Sequence, residues 1–375
     1  MLDPALFIAN PKSVAQALLE RGVEATRVVR VERLAAAVRR LDVESLERGV
    51  EDVVRGMAAR APSNELEEYL RELALLPNLP DPSTPRHVVE VSPLIEANES
   101  IHTARCVDPA NQSRGHPVLA LPGYEQLRGN AATMLRALAT YALDIHADAF
   151  VEVSGPAVVT TQSLWRSGHL PKFESSMMRL PKDDLWMIPT AETMLCALHS
   201  DQHIPEGLLP LRYIARSTCF RGEVGAGGVA ARFRLHQYEQ VELFTFCEPD
   251  SSGAELELLL DRAQTGLKNL DITFRVRALH VGALPFSSTK AYKIEAYLPQ
   301  SCQWLDISTV SLIGDFQARR ALTKSARGRK FVHTLNASAM ACSRVRNVLA
   351  EYGYDGSSQD HVPTVLRKYF ASYRC

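Results

Sequence analysis

The sequence predicts an α+β fold, an antiparallel sheet with flanking helices behind a small helical start. Three observations carry that expectation. Strand-like runs in the second half follow one another through loops, without the strict strand–helix alternation of a doubly wound sheet. Leu76 to Pro85 holds four prolines in ten residues and separates a helical beginning from the mixed remainder. The composition, 46% hydrophobic and 23% charged over 375 residues, is that of an ordinary globular chain able to bury a core.

Taken in order, residues 1–27 read as a small helical start. Pro11 precedes a helix-forming run from Ser13 to Arg21, and Gly22 is its stop. From Val28 to about Arg60, Val31, Leu34, Val38, Leu41, Leu46, Val50, Val53 and Val54 recur mostly at threes and fours, one helical pattern. Ala61-Pro-Ser-Asn64 breaks it. Glu65 to Leu76 is a second helix, rising only about 18 Å, and the pair reads as an antiparallel helical hairpin. Residues 1–76 thus form a helical domain, 77–85 a Pro-rich linker and 86–375 the main domain. Beyond the linker, Leu127–Ile145, Ala254–Asn269 and Ser338–Glu351 read as helices. Phe150–Val159, Leu211–Ala215, Gln240–Phe246, Phe274–Val281, Ala291–Tyr297 and Gln303–Thr309 read as strands. There is no internal repeat and no low-complexity tract.

Charge and cysteine usage exclude several classes. With 42 basic and 43 acidic side chains the net charge is −1, so any attraction to nucleic acid must be local. No run approaches the roughly 18 apolar residues of a membrane span. Met1 to Asn10 carries Asp3 and no basic region, unlike a secretion signal. The seven cysteines are scattered and form no C-x-x-C pair, which points to reduced thiols in a cytoplasmic protein without structural zinc.

Three segments carry candidate chemistry. In Cys219 to Glu242, Arg221, Glu223 and Arg234 flank a glycine-rich turn, and Tyr238 offers an aromatic face. Guanidinium groups suit phosphate oxygens because they donate fork-wise and stay charged. No Gly-Lys-Ser/Thr follows, so this is not a Walker loop. In Trp304 to Arg320, alternation sets Asp306, Ser308 and Val310 on one strand face and Ile307 and Thr309 on the other. A carboxylate beside hydroxyls near a phosphate site is a reasonable Mg²⁺ station. In His333 to Arg344, a polar loop opens a helix of small residues, with Arg344 about two turns beyond Ser338. Taken singly, a plain hairpin, an amphipathic strand end and an N-capped helix are the better explanations of the three.

Together and in this order, the segments resemble the signature motifs of class II aminoacyl-tRNA synthetases, and their wording resembles seryl-tRNA synthetases of the bacterial type. The likeness also includes Met1-Leu-Asp-Pro4, Leu76-Pro-Asn-Leu-Pro80, Gly168-His-Leu-Pro-Lys-Phe173, Ile188-Pro-Thr-Ala-Glu192, His236 to Glu242, Gly314 to Arg320 and His333-Thr-Leu-Asn336. It implies the class II antiparallel sheet and ATP-dependent activation of an amino acid, serine or a close analogue, as an adenylate with Mg²⁺. It further implies that Arg221, Glu223, Arg234, Tyr238 and Arg344 hold ATP, with Arg221, Glu223 and Arg344 as the catalytic set. Asp306 and Thr309 fall where the family binds the metal, and Thr190, Glu192, Glu242, Asn336 and Ser338 where it binds the amino acid. Val151 to Pro156 resembles the dimer-interface motif, so a homodimer is expected. His236 and His333 look structural.

The departures from the family matter equally. Val28 to Leu76 spans only 49 residues where the family has a long coiled-coil arm that grips tRNA. The turn between Glu223 and His236 lacks the family's charged residues. Ala283 and Lys293 replace Asp, Asp306 replaces Glu and Ala337 replaces Gly; the role of Lys293 is open. Fewer phosphate contacts weaken nucleic-acid binding steeply. The expectation is therefore an adenylate-forming enzyme that has lost, or changed, its tRNA, with a carrier protein or a small amine as candidate acceptors beside tRNA. Two alternatives stand beside it: an ordinary tRNA-charging enzyme with a compact arm, and a non-catalytic dimer for binding or regulation.

Overall fold

The helical start is built by its caps. Asp3 accepts a hydrogen bond from the Ala5 amide, and Pro4 takes the first helical position, where no amide donor is needed, opening α1 (Pro4–Ala9). Pro11 does the same for α2 (Pro11–Glu20), and Gly22, at φ +76°, turns the chain out of it. The single helical run expected from Val28 to Arg60 is two helices, α3 (Ala25–Val38) and α4 (Val43–Gly56). Asp42 accepts from the Ser45 amide at 2.7 Å and starts the second one, a cap hidden inside an unbroken apolar period. α5 (Glu65–Ala74), capped by Asn64, packs on both α3 and α4. A Cβ on Gly49 would lie 2.9 Å from Leu66 Cδ2, so glycine permits the close crossing of α4 and α5. In place of a two-helix hairpin the described residues form a folded three-helix packet.

The computed structural model describes residues 1–56, 64–91, 123–205, 207–222, 233–326, 330–358 and 360–370. The expected break at 61–63 lies outside them. After α5 come β1 (Val89–Glu90), α6 (Asn130–Asp144), β2 (Val151–Glu152), β3 (Val158–Thr160) and α7 (Thr161–Arg166). Then follow β4 (Leu185–Met187), α8 (Glu192–Ala197), β5 (His203–Ile204), β6 (Leu211–Phe220), β7 (Gln237–Cys247) and α9 (Ser252–Asn269). β8 (Phe274–Ala278), β9 (Lys290–Leu298), β10 (Gln303–Gly314), α10 (Phe316–Ala321), β11 (Lys324–Ser325), β12 (His333–Met340), α11 (Cys342–Glu351) and α12 (Arg367–Phe370) complete the order.

An eight-stranded sheet, in the order β1-β8-β9-β10-β12-β7-β6-β2, is antiparallel throughout except for the β2–β6 pair. Leu138, Leu259 and Val348 of α6, α9 and α11 pack on Val241, Leu243, Ile294 and Val310 of one sheet face. The opposite face is partly covered by α7, α8, α10 and the N-terminal helices. Two expected elements change. Phe150–Val159 is two short strands, β2 and β3, on different sheets. Ser338 belongs to β12, and helix α11 begins only at Cys342, so Arg344 lies in its first turn. The small residues of 333–341 serve a strand crossed closely by α9, where a Cβ on Gly266 would meet Met340 Cε at 2.9 Å.

The N-terminal helices share a core with the sheet domain: Val31, Leu34, Leu70 and Leu73 lie in one apolar cluster with Leu164, Leu195 and Phe244. Asn78 and Asp81, in the Pro-rich segment, donate their amides to the carbonyls of Phe286 and Thr289. Arg320 has no exposed surface. It donates to the carbonyls of Ala74, Trp165 and Leu170 and lies against the rings of Trp165 and Phe316. Arg320→Met is therefore expected to lower the thermal unfolding midpoint, since each carbonyl left without a donor costs about 1–3 kcal/mol. Arg320→Lys restores it only in part, because one ammonium cannot span the three carbonyls. An unchanged midpoint for Arg320→Met would contradict this role.

Candidate active site

Alternation along β7 builds the floor of the site. Val241 and Leu243 enter the core under the helices, while Tyr238, Gln240 and Glu242 face the other way. β12 lies beside β7 with Ser338 directly opposite Glu242, so Asn336 and Ser338 join that face. β10 is next. A bulge between Asp306 and Ser308 resets its period. Leu305, Ile307, Val310 and Leu312 all reach the core, and Asp306 and Thr309 both reach the cavity. The expected separation of Asp306 from Thr309 onto opposite faces is therefore corrected: the bulge brings them together.

Around this floor stand Arg221 just past β6, Arg234 ahead of β7 and Arg344 in α11, with Thr190 and Glu192 at the turn into α8. The half-open cavity is about 790 Å³, the size of a small-molecule site. Every expected site residue among those described lines it. Glu223 lies outside the described residues.

Two groups of side chains share the cavity. The first is acidic and buried. Asn336 Nδ2 donates to Glu192 Oε2 at 2.8 Å and to Glu242 Oε1 at 3.1 Å, so one amide joins both carboxyls. Ser338 Oγ donates to Glu242 Oε2 at 3.2 Å, and Gln240 Nε2 donates to the same oxygen at 2.7 Å and to Thr190 Oγ1 at 2.8 Å. Gln317 Nε2 donates to Glu192 Oε1 at 2.5 Å, and Thr334 Oγ1 donates to Gln317 Oε1 at 2.7 Å. Burial pushes both carboxyls above the ordinary range, and the charge of Glu192 pushes Glu242 further. An uncompensated buried acid pair is a receptor for a cation.

The second group is cationic. Arg344 donates to the Asp306 carbonyl at 2.8 Å, and the Arg221 guanidinium lies 5.2 Å from the Tyr238 ring centroid. Burial, and next the charge of Arg221, lowers the pKa of Arg344, so guanidinium repels guanidinium here. Such a cluster suits an anion with several oxygens. Tyr238 donates its hydroxyl to the Pro189 carbonyl at 2.5 Å, which fixes the ring. His236 bonds the Arg221 carbonyl through Nδ1 at 2.8 Å and stacks on Tyr124, holding Arg221 in place. His333 is not among the cavity residues. Lys293, whose role the sequence left open, donates to Asp306 Oδ2 at 2.7 Å.

Sequence reasoning missed Gln240, which lines the cavity, and Gln317, which is buried and holds Glu192 without lining the cavity. Gln240 was reachable from the alternation that places Glu242. Gln317 sits on a helix distant in sequence from every partner it holds, and no spacing rule points to it.

Residues 172–352 match the family model of the class II tRNA synthetase core domain (G, H, P, S and T). The chain is 38% identical over 336 residues to the serine–tRNA ligase of Prochlorococcus marinus strain MIT 9313, covering 83% of this chain and 77% of that one. It is 32% identical to that of strain AS9601 over 425 residues, with 99% of each covered. That span exceeds the 375 residues available here, so the relative carries residues with no counterpart in this chain. Among solved structures, seryl-tRNA synthetase from Pyrococcus horikoshii, complexed with ATP, superposes with a TM-score of 0.76 at 24% identity, covering 99% of this chain and 98% of that one. The antiparallel sheet is thus the class II fold, and the chain belongs to the serine–tRNA ligase family of class II aminoacyl-tRNA synthetases.

Proposed function

We propose that this cavity joins serine to ATP as seryl-adenylate, releasing pyrophosphate, and passes the seryl group to tRNA. The observation that carries the reading is the pair of buried acids, tied by Asn336, in the same cavity as three guanidinium groups. The serine ammonium goes to Glu242 and Glu192. Its hydroxyl finds partners in Thr190 and Ser338. A side chain without the hydroxyl would forgo both of these partners, so the pocket favours the substrate that carries it. Tyr238 presents its ring to the adenine. Arg221, Arg234 and Arg344 take the phosphate oxygens.

A serine carboxylate oxygen attacks the α-phosphorus, the bond to the bridging oxygen of the β-phosphate breaks, and pyrophosphate leaves. A ribose hydroxyl of tRNA then attacks the seryl carbonyl and AMP leaves. Neither step needs a covalent enzyme nucleophile. The arginines position the reactants and neutralise charge that grows on the leaving group. The preference for an acceptor other than tRNA has no support among the relatives, which are named serine–tRNA ligases. The folded three-helix packet is the part to examine for an altered grip on tRNA.

Asp306 and Thr309 do not fit a metal ion held by the protein. Lys293 already takes Asp306 Oδ2, and the neighbouring Glu295 is taken by Arg275 at 2.7 Å and Arg277 at 3.3 Å. No step is therefore routed through one at this station. The homodimer reading rests on β2, a sheet-edge strand whose Val151 is 64% exposed, and on the dimer-motif likeness of Val151 to Pro156. The cytoplasmic reading rests on five described cysteines that are unpaired; no helix among the described residues is long and apolar enough to cross a membrane.

Four outcomes test the proposal. Arg221→Gln should lower serine-dependent pyrophosphate exchange on the order of 100-fold, the loss usual for one transition-state charge contact; unchanged exchange contradicts the phosphate role. Glu242→Gln should raise KM for serine on the order of 100-fold, as for a broken buried charge pair. The pH dependence has a definite sign. A carboxyl raised by burial keeps its proton where a free one has lost it, and an ammonium displaces that proton. KM for serine should therefore fall as pH rises from about 6 to 8, by up to tenfold per unit per group. A KM that is flat or rising over that range would remove the acids from the ammonium site. Charging of a serine tRNA transcript decides the acceptor: exchange without charging would return the carrier-protein or amine reading.

A further inference from the structure

β10 lines the cavity through Asp306 and Thr309, and the strands next to it in the sheet, β9 and β8, carry an unusual charge pattern beside them. Pairing sets Thr309 opposite Lys293 and Lys293 opposite Arg277. The next row sets Asp306 opposite Glu295 and Glu295 opposite Arg275. Residues directly opposite in an antiparallel pair share a face. Glu90 of β1 stands opposite Arg277, so three acids and three bases stand on one patch, and each acid is already paired with a base: Asp306 to Lys293 at 2.7 Å, Glu295 to Arg275 at 2.7 Å and to Arg277 at 3.3 Å, and Glu90 to Arg275 at 3.6 Å. Arg275 is further fixed over the Trp304 ring at 4.2 Å. A divalent cation at Asp306 would meet an ammonium already on that carboxylate and a patch with no surplus negative charge. Mg²⁺ sites need the opposite, one or two carboxylates free to bind beside the phosphates.

We propose that Lys293 supplies, from the protein, the positive charge that a metal ion would otherwise bring to the polyphosphate at this wall. The inference rests on the reading of the cavity as an ATP site. Lys293 is not itself a lining residue, but it stands opposite Thr309 and donates to Asp306, both of which line the cavity, so that Asp306 accepts one of its three ammonium donors. Asp306 thereby acts as a positioning residue for the ammonium, and the remaining donors are free for phosphate oxygens. An ammonium is a compact point charge suited to this use. Magnesium carried on the nucleotide's own phosphates can still enter; what the wall does not require is a metal of its own.

The test is calorimetric titration of the full-length chain with ATP, without amino acid, in magnesium and in EDTA. Wild type should bind in both buffers with affinities within about fivefold of one another, well under the contribution of a metal bridging protein and phosphate. Lys293→Ala should lose about tenfold or more in EDTA and regain part of it with magnesium, and Lys293→Arg, which keeps the charge, should behave like wild type. Lys293→Asp should bind Mn²⁺ detectably by electron paramagnetic resonance in the presence of ATP, with the nucleotide affinity then strictly metal-dependent. Wild-type binding that collapses in EDTA, with Lys293→Ala indistinguishable from it, overturns the inference and leaves the ATP reading intact. Absence of ATP binding by wild type in either buffer overturns both.

Discussion

Two carboxyls buried in one cavity are the constraint on which the rest of the site depends. Glu192 and Glu242 come from a helix start and a central strand, and both are raised by burial. Left alone, such a pair would be protonated or would repel apart. Amide and hydroxyl donors from four other places hold it: Asn336 and Ser338 on β12, Gln240 on β7 and Gln317 on α10. The pair is satisfied in hydrogen bonds and unsatisfied in charge. That combination keeps the pocket folded when empty and leaves it selective for a small cation with a hydroxyl beside it.

The same α10 links the pocket to the N-terminal helices. Gln317 points to Glu192 while Arg320, one turn on, caps the last turn of α5 through Ala74 and also holds Trp165 and Leu170. Arg319 pairs with Asp3, and the Met1 ammonium donates to Phe316. The helical packet is thus fastened to the element that orients an active-site carboxyl. Whatever engages the packet is mechanically close to the pocket, a coupling that a long projecting arm would not have.

Much of the site was legible because β-strand alternation and motif order are local properties of the chain. Tyr238 and Glu242 share a face by simple count, and the arginines at 221 and 234 bracket a turn. What could not be read depends on contacts between distant segments. The bulge at Asp306–Ser308 reverses a parity count and joins Asp306 to Thr309. Asp42 caps a helix within an apolar period that gives no sign of interruption. The small residues of 333–341 have helix-compatible chemistry, and only the crossing of α9 and the pairing with β7 and β10 make them a strand. Lys293 looks like a solvated charge until its neighbour across the sheet is known to be Asp306.

The central claim is that the buried acid pair gives up a proton to receive an ammonium beside an adenylate. Its most direct measurement is calorimetric titration with a non-hydrolysable seryl-adenylate analogue, near neutral pH, in two buffers of different ionisation enthalpy. The account predicts tight binding with net proton release, diminished in Glu242→Gln. Tight binding with no proton release, or with proton uptake, would contradict it.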